Sequence, residues 1–176
     1  MKWLIIPIAC LLAVTGCKKN STGAEDIVII SDSFEIAGQP SHLGWQVDTD
    51  LTSGQDEAPP NGGQWSLRLD SGTPPFIGNA ILDIYPNYGS GIYEFSVWVK
   101  TTGTATVTLG VLAPDDQVSQ GGTVTSQDTA WTQVVIVDTL TIGSGDQIFM
   151  ELSSGSSDSE SWYSLFDLAR LVKKAE

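Results

Sequence analysis

Tyr93-Glu94-Phe95-Ser96-Val97-Trp98-Val99-Lys100 alternates with period two along its whole length. Successive side chains of a strand point to opposite faces, so this alternation predicts a half-buried β-strand. Tyr93, Phe95, Val97 and Val99 are set toward a core; Glu94, Ser96, Trp98 and Lys100 are set away from it. Thr104 to Leu112 repeats the pattern, with Ala105, Val107, Leu109 and Val111 inward. On either side lie further runs rich in Val, Ile, Thr and aromatics: 27–30, 45–47, 65–69, 80–84, 131–137, 147–152 and 163–172. Between them stand turn-forming clusters, SGQDEAPPNGG, SGTPP, PNYGSG, APDDQVSQGG, GSGD and SSGSSDSES. No stretch holds a helical apolar period for three turns. About eight short, regularly punctuated strands predict an all-β domain, a two-sheet antiparallel β-sandwich of jelly-roll type.

Further out, the N-terminus has a different character. Lys2 precedes an apolar run from Leu4 to Val14. As a helix this run is about 16 Å long, roughly half a bilayer core, which suits the apolar region of a secretory signal and not a spanning helix. Leu12-Ala13-Val14-Thr15-Gly16-Cys17 follows, with small residues directly before the cysteine. It resembles the lipobox of bacterial lipoproteins, in which the cysteine thiol takes a diacylglycerol and becomes the new N-terminus. The expected organisation is a cleaved signal peptide over 1–16, a lipidated Cys17 with a polar tether over 17–26 (Lys18 to Asp26 is polar and without periodicity), and the sandwich over 27–176. The expected location is the cell envelope. By resemblance to enterobacterial sorting, Lys18 in place of Asp favours the outer membrane.

Cys10 would leave with the signal, so the only other cysteine is the lipidated one and no disulfide is expected. Loss of Lys2 leaves seven basic side chains against 21 acidic ones. Such a surface argues against nucleic acid as a partner.

The order of features resembles the galactose-binding-like jelly rolls, in particular carbohydrate-binding modules of families four and nine. The matching residues are Asp32-Ser33-Phe34-Glu35, Gly44-Trp45, Ser66-Leu67-Arg68-Leu69, Gly91 to Lys100, Trp131-Thr132-Gln133-Val134, Gly145-Asp146-Gln147-Ile148 and the closing Leu165-Phe166-Asp167-Leu168-Ala169-Arg170-Leu171. The likeness runs from about residue 30 to 172. It implies one structural Ca²⁺ between the first and last strands, with Glu35 and Asp167 as carboxylate ligands and backbone carbonyls completing the oxygen shell. Leu168 stands where the family has a second aspartate.

Nothing in the pattern points to catalysis. The single histidine, His42, sits in a Gly/Pro-rich loop, and no nucleophile is paired with a base by motif. Asp48-x-Asp50-x-Thr52 begins like an EF-hand loop, but the sixth position is Ser53 and the twelfth Pro59. Asp48, Asp50, Asp56 and Glu57 therefore read as a solvated loop. The aromatic residues are the better lead, because flat rings suit the apolar C–H faces of sugars. Trp45 and Trp131 match structural tryptophans of the family, and Trp65 is in phase with Leu67 and Leu69, so all three are expected inside. Trp98 is out of phase with its core set, and Tyr85, Tyr88 and Trp162 lie in loops. These four are the candidate glycan contacts, with Arg68 and Gln133 as hydroxyl partners.

The expectation is a non-catalytic, membrane-anchored, carbohydrate-binding lipoprotein that captures polysaccharide. The alternative is a structural or protein-interaction jelly roll with no sugar site. Clustering of the four aromatics in one groove would favour the first, and scattering the second.

Overall fold

The computed structural model describes residues 24–71, 77–84, 88–155 and 162–175. Cys17, Tyr85 and the expected signal and tether up to residue 23 lie outside the described residues. The described chain is all β, with thirteen strands: β1 (Ile27–Asp32), β2 (Glu35–Ile36), β3 (Gln39–Pro40), β4 (Gln46–Val47), β5 (Thr52–Gln55), β6 (Ser66–Asp70), β7 (Gly78–Ile84), β8 (Gly91–Thr101), β9 (Thr104–Leu112), β10 (Val118–Ser126), β11 (Thr132–Leu140), β12 (Gln147–Gly155) and β13 (Tyr163–Lys173).

Two antiparallel sheets make a β-sandwich of jelly-roll type. One has six strands in the order β11-β8-β13-β6-β5, with β1 also paired to β13; the other has five, β10-β9-β12-β7-β4; β2 and β3 form a small hairpin. The long β13 serves two neighbours on one side. Tyr163 to Phe166 pair with β6, and Ala169 to Lys173 pair with β1.

The core lies between the sheets, where period-two alternation places it. Tyr93, Phe95, Val97 and Val99 on β8 are fully buried, as are Ala105, Leu109 and Val111 on β9 and Ile148, Met150 and Leu152 on β12. Trp45 joins this core, tilted against Phe34 with ring centroids 5.4 Å apart, and its indole N–H donates to Asp32 at 2.9 Å. The other carboxylate oxygen of Asp32 accepts the Phe34 N–H at 2.8 Å, an Asx turn that holds Phe34 at φ 53°. The Asp32-Ser33-Phe34-Glu35 motif is thus a turn that anchors a core tryptophan.

Two other tryptophans differ from expectation. Trp65 is half-buried, not inside, and its N–H reaches the Gly38 carbonyl at 3.1 Å over the β2–β3 hairpin. Trp131, just ahead of β11, is half-buried and no part of the core cluster. Glu57 is not simply solvated; it pairs with Lys100.

At one end of the sandwich a buried hydroxyl chain crosses between the sheets. Thr101 and Ser164 are 2.9 Å apart, and Ser164 donates to Ser154 of the other sheet at 2.9 Å. Ser164→Ala takes from the buried Ser154 hydroxyl its side-chain partner, while Thr101 keeps the Tyr163 carbonyl and the Gly103 N–H; the loss costs about 1–3 kcal/mol. The expected drop in melting temperature is a few degrees in a thermal melt; an unchanged curve would show the chain to be dispensable.

Candidate functional site

The described glycan-contact residues singled out from sequence do not converge. Trp98 and Gln133 are cross-strand partners on the outer face of the six-stranded sheet, and Asp167 faces Trp98 from the other side. Trp98 is half-buried and Gln133 exposed. Arg68 shares this face but is turned into its own neighbours. It donates to Asp70 at 2.8 Å and to Gln55 at 3.3 Å, and stacks 4.2 Å from the Tyr163 ring centroid. Tyr88 lies three residues before β8, where its carbonyl accepts from Lys173. Trp162 packs its ring on Gly103, beyond the other end of β8. β8 has eleven residues and is about 35 Å long, so Tyr88 and Trp162 cap opposite ends of the sandwich.

The outer face of the six-stranded sheet is also partly covered. Leu165, Asp167 and Ser66 point away from the core yet are fully buried. The 56–65 segment accounts for this: Glu57 pairs with Lys100, Pro59 is buried, and Gly62 abuts the Asp167 carboxylate so closely that a Cβ there would collide with it. The next residue, Gly63, leaves no room for a Cβ beside the Glu35 carboxylate. Two consecutive glycines thus lie over the two acids that the sequence reading paired.

Glu35 Oε2 accepts the N–H groups of Gln64 and Trp65 at 2.8 and 3.1 Å. Asp167 Oδ1 accepts the Leu168 N–H at 2.7 Å, but Oδ2 is buried with no partner among the described residues. Burial pushes the Asp167 carboxyl up to about 7; the Leu168 N–H opposes this, and the neighbouring Glu35 and Asp32 charges add to it. Leu168 itself sits at φ 51° in the bulge where β13 leaves register with β8. No group of three or more His, Cys, Asp or Glu side chains converges among the described residues. A metal held here would take two carboxylates and otherwise backbone oxygens. An orphaned, buried carboxylate oxygen under a glycine cradle fits a hard cation.

The open surface is the outer face of the five-stranded sheet. Strand register sets Gln46, Ile81, Glu151, Thr108 and Thr123 in one row across all five strands. Asn79, Ser153, Thr106 and Thr125 form a second row. Asp83, Phe149, Gly110 and Gly121 form a third. With strands about 4.8 Å apart, a five-strand row spans about 19 Å. The polar side chains in these rows are exposed or half-buried. Gln46 donates to Asp83 at 3.0 Å, and the Thr108 and Thr123 hydroxyls are 3.2 Å apart. Phe149 is only 7% exposed because its ring lies against Gly110, where a Cβ would strike it. Glycine at 110 therefore keeps the floor low. No local sequence signal marks this face: its rows are polar apart from Ile81, Phe149, Gly110 and Gly121, and Phe149 is buried, so no exposed ring announces it.

Comparison with known proteins places the fold. Among solved structures, the chain is similar to the CBM22-1 xylan-binding domain of Paenibacillus barcinonensis Xyn10C, with 20% identity over 86% of this chain and 98% of that one and a TM-score of 0.58. It is similar to a family 16 carbohydrate-binding module (19% identity, 78% and 98% covered, TM-score 0.58). It is also similar to TmCBM61, solved in complex with β-1,4-galactotriose (15% identity, 81% and 95% covered, TM-score 0.53). No family model matches the chain, and no curated protein does. The chain has the jelly-roll fold of carbohydrate-binding modules. The neighbours belong to families 22, 16 and 61, so the finer resemblance to families four and nine is not what the comparisons single out.

Proposed function

We propose that this is a non-catalytic glycan-binding protein of the bacterial cell envelope, with the outer face of the five-stranded sheet as its binding surface. The observation that carries this is the face itself, which the described residues leave uncovered, five strands wide and lined by Gln46, Asn79, Glu151, Ser153 and threonines. Amide, hydroxyl and carboxylate groups in rows can exchange hydrogen bonds with successive sugar hydroxyls. The net gain per bond is small, so affinity is expected in the micromolar to millimolar range. The modules of similar fold include a xylan-binding domain and one in complex with a galactotriose, which supports this class of ligand. Titration of the purified protein against xylan, mannan, β-glucan and galactan tests it, and binding to none of them would remove it.

The scattering of Tyr88, Trp98 and Trp162 gives the second reading, a protein-interaction jelly roll, its support. Val135 and Val137, 47% and 60% exposed on β11, supply an apolar edge for such a partner.

We propose further that Glu35 and Asp167 hold a structural Ca²⁺, tying the turn after β1 to β13. The ion would neutralise the orphaned Asp167 oxygen that the fold buries.

Anchoring by a lipid on Cys17, in the outer membrane, completes the proposal. Each buried methylene contributes about 0.8 kcal/mol, and several chains on one residue hold a protein durably where one would not. Cys17→Ser is expected to abolish incorporation of labelled fatty acid. A Ser variant that still carries the label would exclude Cys17 as the lipidated residue.

A further inference from the structure

Charge is segregated between the two sheets. Every Lys and Arg of the described residues belongs to the six-stranded sheet or its last turn: Arg68 on β6, Lys100 on β8, Arg170 and Lys173 on β13, and Lys174 directly after it. From Thr101 to Ala169 the chain has no Lys or Arg, and that stretch supplies β9, β10 and β12 of the five-stranded sheet. β4 and β7 have none either. The cations on the six-stranded side are largely spent on local acids: Arg68 on Asp70, Lys100 on Glu57, and Lys174 on Asp26 and Glu94.

The five-stranded face carries Asp83 and Glu151, in neighbouring rows on β7 and β12. Neither is in an ion pair with a described residue, since no cation lies on that sheet. Asp83 Oδ2 accepts from Gln46, while Oδ1 is shielded from solvent and has no partner among the described residues. Asp115, Asp116, Asp128 and Asp146 occupy the loops between β9 and β12, a stretch without Lys or Arg. The field over this face is therefore negative and without local compensation.

We propose that this face selects by charge. It accepts glycans without acidic substituents and refuses uronic-acid or sulfated polymers, with Asp83 and Glu151 setting the discrimination. This rests on the reading that the face binds glycan. A carboxylate brought beside Glu151 meets a like charge with no cation to bridge it, and its affinity falls by about tenfold or more.

The test takes the neutral polymer that binds best among mannan, β-glucan and galactan, and the same polymer with part of its primary hydroxyls oxidised to carboxylates. Both are titrated calorimetrically against the purified protein and against the Asp83→Asn/Glu151→Gln double variant, whose amides keep the shape of the carboxylates. The oxidised polymer is expected to bind wild type at least about tenfold more weakly in about 10 mM salt. The gap should narrow in about 1 M salt, where the screening length falls from about 30 to about 3 Å, and it should narrow in the double variant. Equal binding of the two polymers, or a gap that neither salt nor the variant changes, overturns charge selection while leaving glycan binding intact. Failure of every neutral polymer to bind wild type overturns the underlying reading as well.

Discussion

Millimolar calcium is expected to raise the melting temperature of the chelator-treated protein by about 8–16 °C at pH 8. This is the shift that a ligand at a thousand times its Kd gives a domain of this size, about 4 kcal/mol at about 2–4 °C per kcal/mol. The reason for so large an effect is Asp167. It is fully buried, and Oδ2 has no donor among the described residues. Without a cation the fold has to shelter a bare charge or a proton. Its carboxyl is pushed up to about 7, chiefly by burial, from 3.8. A folded-state value above the unfolded one means that the native state binds more protons between those limits. The Asp167 contribution to stability is thus greatest in acid and is lost as pH rises toward and through 7. In chelator, wild type is expected to lose stability from pH 5 to pH 8 relative to Asp167→Asn, which has no such proton to lose. With calcium bound the ionised form is the one stabilised, and the difference disappears. The Asn variant should also lose most of the calcium response. Superimposable melts of wild type in chelator and in calcium, or a chelated wild type that tracks the Asn variant across this pH range, would remove the metal from the account.

Where the sequence alternates cleanly, the strands could be read to within a few residues. Tyr93 to Lys100 became β8 and Thr104 to Leu112 became β9, with every inward residue buried. From sequence alone the start of β10 reads as loop, because Gln120-Gly121-Gly122 looks like turn chemistry. It is an edge strand with a bulge between Val118 and Gln120, and most of its side chains face solvent, so no core periodicity marks it. Gly121, at φ 148°, lies where a Cβ would meet the backbone of β9; glycine there permits close strand approach. β5 was hidden for a similar reason, being four residues of Thr, Ser, Gly and Gln.

The site was less legible than the fold. Phase alone placed Trp98 and Arg68 correctly on an outer face, but could not reveal that the 56–65 segment folds over part of it, nor that Arg68 is already engaged by Asp70, Gln55 and Tyr163. Rows such as Gln46-Ile81-Glu151-Thr108-Thr123 draw one residue from each of five strands. They exist only once strand order and register are known, and no local motif announces them. Glu35 and Asp167 were paired through family resemblance, and the structure adds what the sequence lacked, the Gly62-Gly63 cover and the orphaned oxygen.

The two sheet faces make opposite claims on a glycan, and one calorimetric comparison separates them. Gln46→Ala/Glu151→Ala removes hydrogen-bonding groups from the five-stranded face, while Trp98→Ala/Gln133→Ala strips the candidate contacts from the six-stranded face. All four side chains are exposed or half-buried on outer faces, so both pairs are expected to leave the core packed. Each loss of a hydroxyl-binding group costs about 0.5–1.5 kcal/mol, so the first pair should weaken binding of the best neutral polysaccharide by about tenfold or more. The account predicts that loss for Gln46→Ala/Glu151→Ala, with Trp98→Ala/Gln133→Ala binding as wild type does. Full affinity in the first pair together with loss in the second would contradict it and return the site to the six-stranded face.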